Sequence, residues 1–481
     1  MFKKSSWNYR RIHNSLLWLG GISLLLFVIS GITHPLLTWF GPQPATMQPL
    51  RLNLQPSELV QAQQIAANQK EAALIRLVPF QRETVLQLTT TTTEPRRYLT
   101  LNGGHEIANA DARLAEALAR HYNAAADEQV SSVLFQTEFD AAYPSVNRLL
   151  PVYRVEFASG LISWIHTETL SQASLSNQTK TAMQQLFRQL HSWQWLEPWP
   201  LLRMSLMLLM LGSALLLVFS GFMLFRRQPV PKMPLRRLHV LLGSVLAVPL
   251  ALYIITGSYH LIDQQLKTPQ LGLTLPPVKP LAQMQGQHAL PEALQHQQLQ
   301  GASLIQDAAG HWYWRLSGSN AAQQSDRNSR FSGQSRELHH WYLPTSPAQP
   351  ELNDKKYATQ LAQQFVPALA QQQPEQLELV THFGADYDFR NKRLPVWRLD
   401  FGGAHATTLF IDTASGVLVE QLSRQDRFER YSFSFIHKWN LLQPVLGRAG
   451  RDAMVVAVMA LVLVLAGLGM ALRWRKNAAR R

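Results

Sequence analysis

The chain has 481 residues, a formal net charge of +14 and no cysteine. A chain of this length can hold two to four domains. The missing cysteines exclude disulfide bonds, iron–sulfur ligation and thiolate chemistry.

Four apolar runs that lack Asp, Glu, Lys and Arg divide the chain. They cover residues 14–40, 204–225, 240–262 and 453–472. Each has about 20 residues or more, enough to cross a hydrocarbon core of about 30 Å at 1.5 Å per residue. The first run is too long for a cleaved signal peptide, so it is interpreted as a retained span. The sequence therefore predicts a membrane protein with a four-helix transmembrane bundle. The spans are expected at residues 14–40, 201–225, 239–262 and 451–472.

The positive charge is confined to three short segments. Residues 1–13, 226–238 and 473–481 contain 14 Lys and Arg and no acidic residue, whereas the remainder has 31 cations and 31 anions. An even number of spans places these segments on one side, and the positive-inside rule makes that side cytoplasmic. Membrane lipid with anionic headgroups is the expected partner of this charge, and no nucleic acid is needed to explain it. Segments 41–200 and 263–450 are then expected on the opposite face of the membrane.

Both outer segments are predicted to be small α+β units. Helical patterns cover residues 56–69 and 111–123 in the first segment and 354–370 in the second. Alternation of large apolar and polar residues predicts half-buried strands. These strands are expected at residues 151–157, 396–401 and 407–411. The Ser-, Asn- and Gln-rich stretch 317–335 is expected to be an exposed loop.

The chain consists of two similar halves, each a span, an outer segment and a second span. Four landmarks recur in the same order. They pair residues 10–13 with 236–239, 29–34 with 255–260, 148–157 with 393–401, and 190–193 with 436–439. A pseudo-twofold axis along the membrane normal is the expected relation between the halves.

Histidines mark the ends of the first and third spans. His13 and His34 are 21 residues apart, and so are His239 and His260. Twenty-one residues extend about 31 Å and about 5.8 turns, which leaves the two imidazoles within about 60° of one helix face. Two such helices can bring one His pair together at each membrane boundary. Neutral imidazole is a common axial ligand of haem iron, so the pattern predicts haem binding.

Two arginines and the remaining histidines can also be assigned relative to the predicted haem sites. Arg11 and Arg237 lie beside the inner pair, where they could neutralise haem propionates. His191 and His437 each precede a Trp outside the second and fourth spans. They could replace His34 or His260 at the outer haem, bind a substrate metal, or belong to an interfacial aromatic belt. The other histidines, including His311, His339 and His340, are interpreted as surface or packing residues.

These motifs resemble the PepSY-associated transmembrane family. The resemblance rests on the R-R-x-H span openings, the T/S-G-x-x-H span ends, the L-P-V-[YW]-R-[VL]-[ED]-F strands and the His-x-Trp segments. It covers essentially the whole chain. It implies two periplasmic PepSY-like domains and an inner-membrane ferric reductase that carries two b-type haems, with the matching histidines as ligands. No G-x-G-x-x-G or Walker-type loop occurs in the sequence, so a separate donor, a quinol or a cytoplasmic flavoprotein, is expected.

Two functions follow as hypotheses. The first is a transmembrane electron conduit, an oxidoreductase that reduces a periplasmic ferric siderophore or another ferric chelate for iron uptake. In that function, haem supplies the redox chemistry. The second is a haem-free, membrane-anchored protein that binds a peptide or peptidase by strand addition. Transport is disfavoured because transporters usually place charged or polar groups at mid-membrane, and these spans have no charged residue there. No spacing of Ser, His and Asp indicates a hydrolytic triad.

Overall fold

The computed structural model describes residues 2–267, 274–281, 290–295, 299–319, 330–331, 338–346, 348–403 and 406–478. These residues form two compact units. The helix unit comprises residues 1–41, 179–270 and 427–481, and the sheet unit comprises residues 42–178 and 271–426.

Ten α-helices occur in the described part of the chain. They are α1 (Phe2–Phe40), α2 (Glu58–Ala67), α3 (Ala110–Asn123), α4 (Gln178–His191), α5 (Pro200–Arg227), α6 (Pro234–Leu266), α7 (Glu292–Gln295), α8 (Asp354–Phe365), α9 (Arg424–Tyr431) and α10 (Gln443–Ala478). Short 3₁₀ turns cover Ser145–Asn147, Gln194–Leu196, Pro367–Leu369, Phe389–Asn391 and Asn440–Leu442, and a π-helical turn covers Ser432–His437.

The β-strands are short, and all but the two-residue pair β1 and β9 lie in three sheets. They are β1 (Glu71–Ala72), β2 (Leu74–Phe80), β3 (Glu83–Thr89), β4 (Arg97–Thr100), β5 (Val130–Gln136), β6 (Val152–Phe157), β7 (Ile162–His166), β8 (Ser171–Ser176), β9 (Lys279–Pro280), β10 (Leu299–Gln306), β11 (Trp312–Ser319), β12 (Leu338–Pro344), β13 (Gln376–Val380), β14 (Val396–Phe401), β15 (Thr407–Asp412) and β16 (Val417–Ser423).

Four helices are long and apolar enough to cross a membrane, as the sequence predicts. They are α1, α5, α6 and α10, the last broken at Gly447, where φ is 66°. Around the helix unit, α1 packs against α5 and α10, and α6 packs against the same two helices. The first and third spans therefore face each other across a shared interior. This arrangement is the one expected if the two halves are related by a twofold axis.

Apolar side chains from all four helices fill the middle of the helix unit. Leu24 of α1, Leu217 of α5, Leu250 of α6 and Leu465 of α10 belong to one buried cluster. Within the hydrocarbon region, such packing holds helices together through van der Waals contact rather than through exclusion of water.

The two outer segments are joined within the sheet unit. A six-stranded sheet has the order β12-β11-β10-β2-β3-β4, so each half contributes three strands. The halves meet where β10 pairs antiparallel with β2, with Ala302 opposite Leu77. Each half also has its own four-stranded antiparallel sheet, β5-β6-β7-β8 in the first and β13-β14-β15-β16 in the second. Helix α3 packs on the former and α8 on three strands of the latter. The predicted α+β character is confirmed, but the segments share one sheet.

Most predicted elements of the sheet unit are confirmed. The strand expected at 396–401 is β14, the one at 151–157 is β6, and the helix at 111–123 is α3. The helix expected at 354–370 ends at Phe365, because Pro367 cannot continue its hydrogen-bond pattern. Of the expected loop 317–335, residues 317–319 instead end β11, whereas 320–329 and 332–337 lie outside the described residues.

A buried ionic cluster ties the two halves of the sheet unit together. Glu168 accepts hydrogen bonds from Arg76 at 2.9 Å and from Arg393 at 2.5 Å. Arg393 also donates to Asp412 at 2.6 Å. Burial alone would raise the pKa of Glu168, but Arg393 and Arg76 hold that pKa well below its usual range. The carboxylate is therefore charged at neutral pH.

Candidate functional site

The histidines lie at two levels of the helix unit. At one level His13 of α1 faces His239 of α6, with ring centres 6.3 Å apart and an interplanar angle of 67°. At the other level, about 31 Å away along α1, lie His34, His191, His260 and His437. The two levels are described in turn, as the His13 end and the His34 end.

At the His13 end, each imidazole rests against a glycine of the neighbouring helix. A Cβ placed on Gly221 of α5 would lie 3.1 Å from Cε1 of His13, and one on Gly469 of α10 would lie 3.1 Å from Cε1 of His239. Nδ1 of His13 is 3.1 Å from the carbonyl oxygen of Leu217, four residues before Gly221. Glycine is thus the residue that lets the helix backbone approach the ring this closely.

The same arrangement recurs at the His34 end. Gly31 of α1 lies against His191, and Gly257 of α6 lies against His437, with Cβ-to-Cε1 distances of 3.5 and 3.1 Å. Nδ1 of His437 is 3.2 Å from the carbonyl oxygen of Tyr253, again four residues before the glycine. The Phe27 carbonyl occupies the equivalent position beside His191.

We call each such arrangement, a glycine against the ring with the carbonyl four residues before it near Nδ1, a cradle. A hydroxyl group adds a further contact to Nδ1 in three of the four cradles. The residue before the glycine is Ser220 for His13, Ser30 for His191 and Thr256 for His437. Its side-chain oxygen lies 3.3, 2.9 and 3.3 Å from Nδ1, respectively. The equivalent residue beside His239 is Leu468, and Nδ1 of His239 faces the Leu465 carbonyl without meeting hydrogen-bond geometry. The four cradles are therefore variants of one duplicated design.

The cradles fix what each ring can do chemically. When Nδ1 donates to a carbonyl, Nε2 carries no proton and keeps its lone pair for a ligand. Metal-ligating histidines commonly donate their other ring N–H in this way. Burial lowers the pKa of His191 to about 4, and burial together with His191 lowers that of His437 to about 3. Both of these imidazoles are neutral at pH 7, which is the ligating form.

The spacing at the His13 end also fits a metal between two imidazoles. Two metal–nitrogen bonds of about 2 Å, extended by the ring radii, separate the ring centres by about 6 Å. The observed separation of His13 and His239 is 6.3 Å. The donor set, two imidazoles within an apolar four-helix sleeve, is one that haem iron accepts.

His34 and His260 have different surroundings from the four cradled rings. Nδ1 of His260 lies 2.5 Å from a carboxylate oxygen of buried Glu429, and its ring stacks on Phe433 at 3.8 Å. His34 is exposed. Its ring meets Phe187 edge-on at 6.1 Å.

Aromatic rings link the histidines at the His34 end. Phe187 stacks on His191 at 4.8 Å, and Phe433 stacks on His437 at 4.7 Å. Each Phe lies four residues before its His, so both occupy one face of a helical turn. The tryptophans after these histidines pack on the spans, Trp193 on Phe27 and Trp439 on Tyr253. The His-x-Trp landmark therefore orients the ring as well as anchoring the segment.

The remaining predicted residues do not enter the cradles. Arg11 and Arg237 are exposed on their helices, two residues before His13 and His239. In the sheet unit, His340 is half-buried against Arg315, with 3.1 Å between Nη2 and Nδ1. His311 lies 3.1 Å from Asp307 through Nδ1. These two histidines pair with charged neighbours, as surface and packing residues do.

Sequence reasoning identified the histidines but missed the glycines and hydroxyls that hold them. A Ser-Gly or Thr-Gly pair precedes His34 and His260 in the recurring landmarks, and Ser220-Gly221 stands in the second span. A search for these pairs opposite the histidines could have found three of the four cradles. Gly469 follows Leu468, so this signal does not extend to the fourth.

Comparison with models of known protein families finds no match to this chain. Comparison with curated proteins finds none either.

Proposed function

We propose that this protein is a transmembrane electron conduit that binds two b-type haems and reduces a ferric chelate. His13 and His239 would hold one haem, and His191 and His437 would hold the other. The observation that carries the proposal is the fourfold cradle, in which a glycine lies against each imidazole and, for His13, His191 and His437, the carbonyl four residues before that glycine faces Nδ1.

Haem ligated by two neutral imidazoles exchanges single electrons, which is the chemistry that a membrane conduit needs. The protein's own part is to orient the rings, to keep them neutral and to exclude water from the apolar sleeve. His260 is excluded from the ligand set on this proposal, because Glu429 and Phe433 already engage it. His34 is left for another role.

The orientation of the chain sets the direction of electron flow. The segments at the His13 end carry 14 cations and no anion, which favours the cytoplasmic side of a bacterial inner membrane. A quinol or a cytoplasmic flavoprotein would supply electrons there. The His34 end and the sheet unit would then be periplasmic, where a ferric siderophore or another ferric chelate accepts the electron. The resemblance of the span and strand motifs to the PepSY-associated transmembrane family supports the same direction.

The experiment is haem quantification in purified full-length variants. We expect two haems per chain in the wild type, with a low-spin bis-imidazole spectrum. His13→Ala and His239→Ala should each remove one haem, and His191→Ala and His437→Ala should each remove the other. His311→Ala is the matched control, because His311 lies in the sheet unit, and it should retain both haems.

Two outcomes would contradict the proposal in different ways. A wild-type protein without Soret absorbance would overturn haem binding altogether and favour the peptide-binding function. A protein that keeps both haems in all four alanine variants would remove these histidines from the ligand set.

A further inference from the structure

The two halves differ at the His34 end of the helix unit. His260 is engaged by Glu429, whereas the residue at the matching position of the first half is Met183. His34, the counterpart of His260, is exposed and meets Phe187 edge-on. The two halves therefore surround this histidine differently.

Cations lie near His34. Lys438, Arg448 and Arg451 are within electrostatic range of its ring. Arg451 donates to the Lys438 carbonyl at 2.9 Å and pairs with Asp452 at 3.0 Å. The Lys438 ammonium lies 4.9 Å from the centre of the Phe433 ring. The break in α10 at Gly447 lies next to Arg448.

Two of these three cations have no basic counterpart in the first half. Arg451 matches Arg203 of the first half, because each precedes its cradle glycine, Gly469 or Gly221, by 18 residues. Lys438 instead matches Ser192, since both lie between the His and the Trp of the His-x-Trp landmark. Arg448 lies in a stretch where the second half is two residues longer than the first. Arg451 comes seven positions after Pro444, whereas Arg203 comes five positions after the matching Pro198. A role shared by the two halves would not require cations in the second half alone.

The whole His34 end is cationic, which is unusual for the periplasmic side of membrane spans. Residues 179–203, 263–267 and 427–452 contain nine Lys and Arg and four Asp and Glu. The cations are Lys180, Arg188, Arg203, Lys267, Arg427, Arg430, Lys438, Arg448 and Arg451, and the anions are Glu197, Asp263, Glu429 and Asp452. Such a surplus attracts anions and accelerates their association at low ionic strength.

We infer that Lys438, Arg448 and Arg451 form the docking site for the ferric chelate beside His34, and that the chelate they accept is anionic. This inference rests on the proposed function. A haem held by His191 and His437 would supply one electron, its iron going from ferrous to ferric, and the docked iron would go from Fe(III) to Fe(II). Carboxylate or catecholate oxygens of the chelate pair with the three cations, and no bond to the protein is made or broken.

The experiment compares two ferric chelates of opposite charge. Chemically reduced full-length protein in detergent is mixed with ferric EDTA, which is singly negative, or with ferrioxamine B, which is singly positive, and haem reoxidation is followed by absorbance. Lys438→Gln/Arg448→Gln is the test variant, because Arg451 also supports the Lys438 carbonyl. Arg203→Gln is the matched control from the other half.

We expect the double variant to react with ferric EDTA about tenfold more slowly at low ionic strength, and added salt to remove the difference. Its rate with ferrioxamine B should stay the same or rise, and its haem content should equal that of the wild type. Arg203→Gln should react with both chelates at wild-type rates.

Three results would overturn the inference while leaving the proposed function standing. One is an unchanged rate with ferric EDTA. Another is an equal loss of rate with both chelates, which would indicate a general structural change. The third is loss of the haem held by His191 and His437, which would assign the cations to haem carboxylates. Absence of haem from the wild type would instead overturn the proposed function itself.

Discussion

At the scale of single residues, a histidine in this helix unit becomes a candidate ligand only through its neighbours. His13 and His260 both lie near the ends of apolar spans and both belong to the recurring landmarks. A glycine and a carbonyl hold His13, whereas a carboxylate and a phenyl ring engage His260. The sequence places the two residues in one class, and the structure separates them, because the distinction depends on contacts between elements that are more than 160 residues apart.

The glycine of a cradle can be tested against a neighbouring glycine of the same helix. Gly469→Ala would place a Cβ 3.1 Å from Cε1 of His239, whereas Gly467→Ala would meet no atom within 4 Å. We expect Gly469→Ala to lower the occupancy of the haem at the His13 end severalfold, because the ring must shift to avoid the methyl group. Gly467→Ala should retain both haems, measured by pyridine haemochrome. Equal haem content in the two variants would show that the cradle does not position the ring.

At the scale of elements, local patterns decide what the sequence can predict. The strands β6 and β14 alternate apolar and polar residues and were predicted within one residue, as were both ends of α3. The pairing of β10 with β2 could not be predicted, because it joins segments separated by about 220 residues and no local pattern specifies the partner strand. The π-helical turn Ser432–His437 was missed for a similar reason, since its ring contacts come from α6.

This turn provides a prediction about ligand orientation. Phe433 is stacked between His260 at 3.8 Å and His437 at 4.7 Å, whereas Phe435 of the same turn is 36% exposed. Each aromatic pair contributes about 0.5–1.5 kcal/mol beyond its buried area. Phe433→Ala should therefore weaken retention of the haem at the His34 end by about tenfold, measured by transfer of haem to apomyoglobin. Phe435→Ala serves as the control, and similar transfer rates for the two variants would refute the orienting role.

At the scale of the whole molecule, the duplication was readable from the sequence, but its consequences differ between the units. In the helix unit, the repeat allowed the prediction that the first and third spans face each other, and His13 does meet His239. In the sheet unit, the same repeat suggested two separate domains, whereas three strands from each half form one sheet. There, matching strands of the two halves pair with each other through β2 and β10. Comparing the sequences of the halves shows that they are similar but not that they pair.

The buried cluster around Glu168 predicts how strongly the halves of the sheet unit depend on each other. Glu168→Gln would leave Arg76 of the first half and Arg393 of the second without their shared carboxylate. Breaking a buried ion pair in this way costs about 3–5 kcal/mol. Glu106→Gln is the control, because Glu106 and Arg97 form an exposed pair, and such pairs contribute about 1 kcal/mol or less.

Hydrogen exchange of β14 and β15 in the full-length protein would measure the stability lost in Glu168→Gln. The dependence of this loss on pH follows from the depressed pKa of Glu168. A carboxylate whose pKa is lower in the folded state stabilises the fold above its unfolded pKa, which is about 4.3 for Glu. That contribution disappears as the pH falls from this value toward the folded pKa. The difference between wild type and Glu168→Gln should therefore be full at pH 7 and should shrink below about pH 4. A difference that stays constant down to pH 3 would mean that Glu168 contributes through packing rather than through its charge.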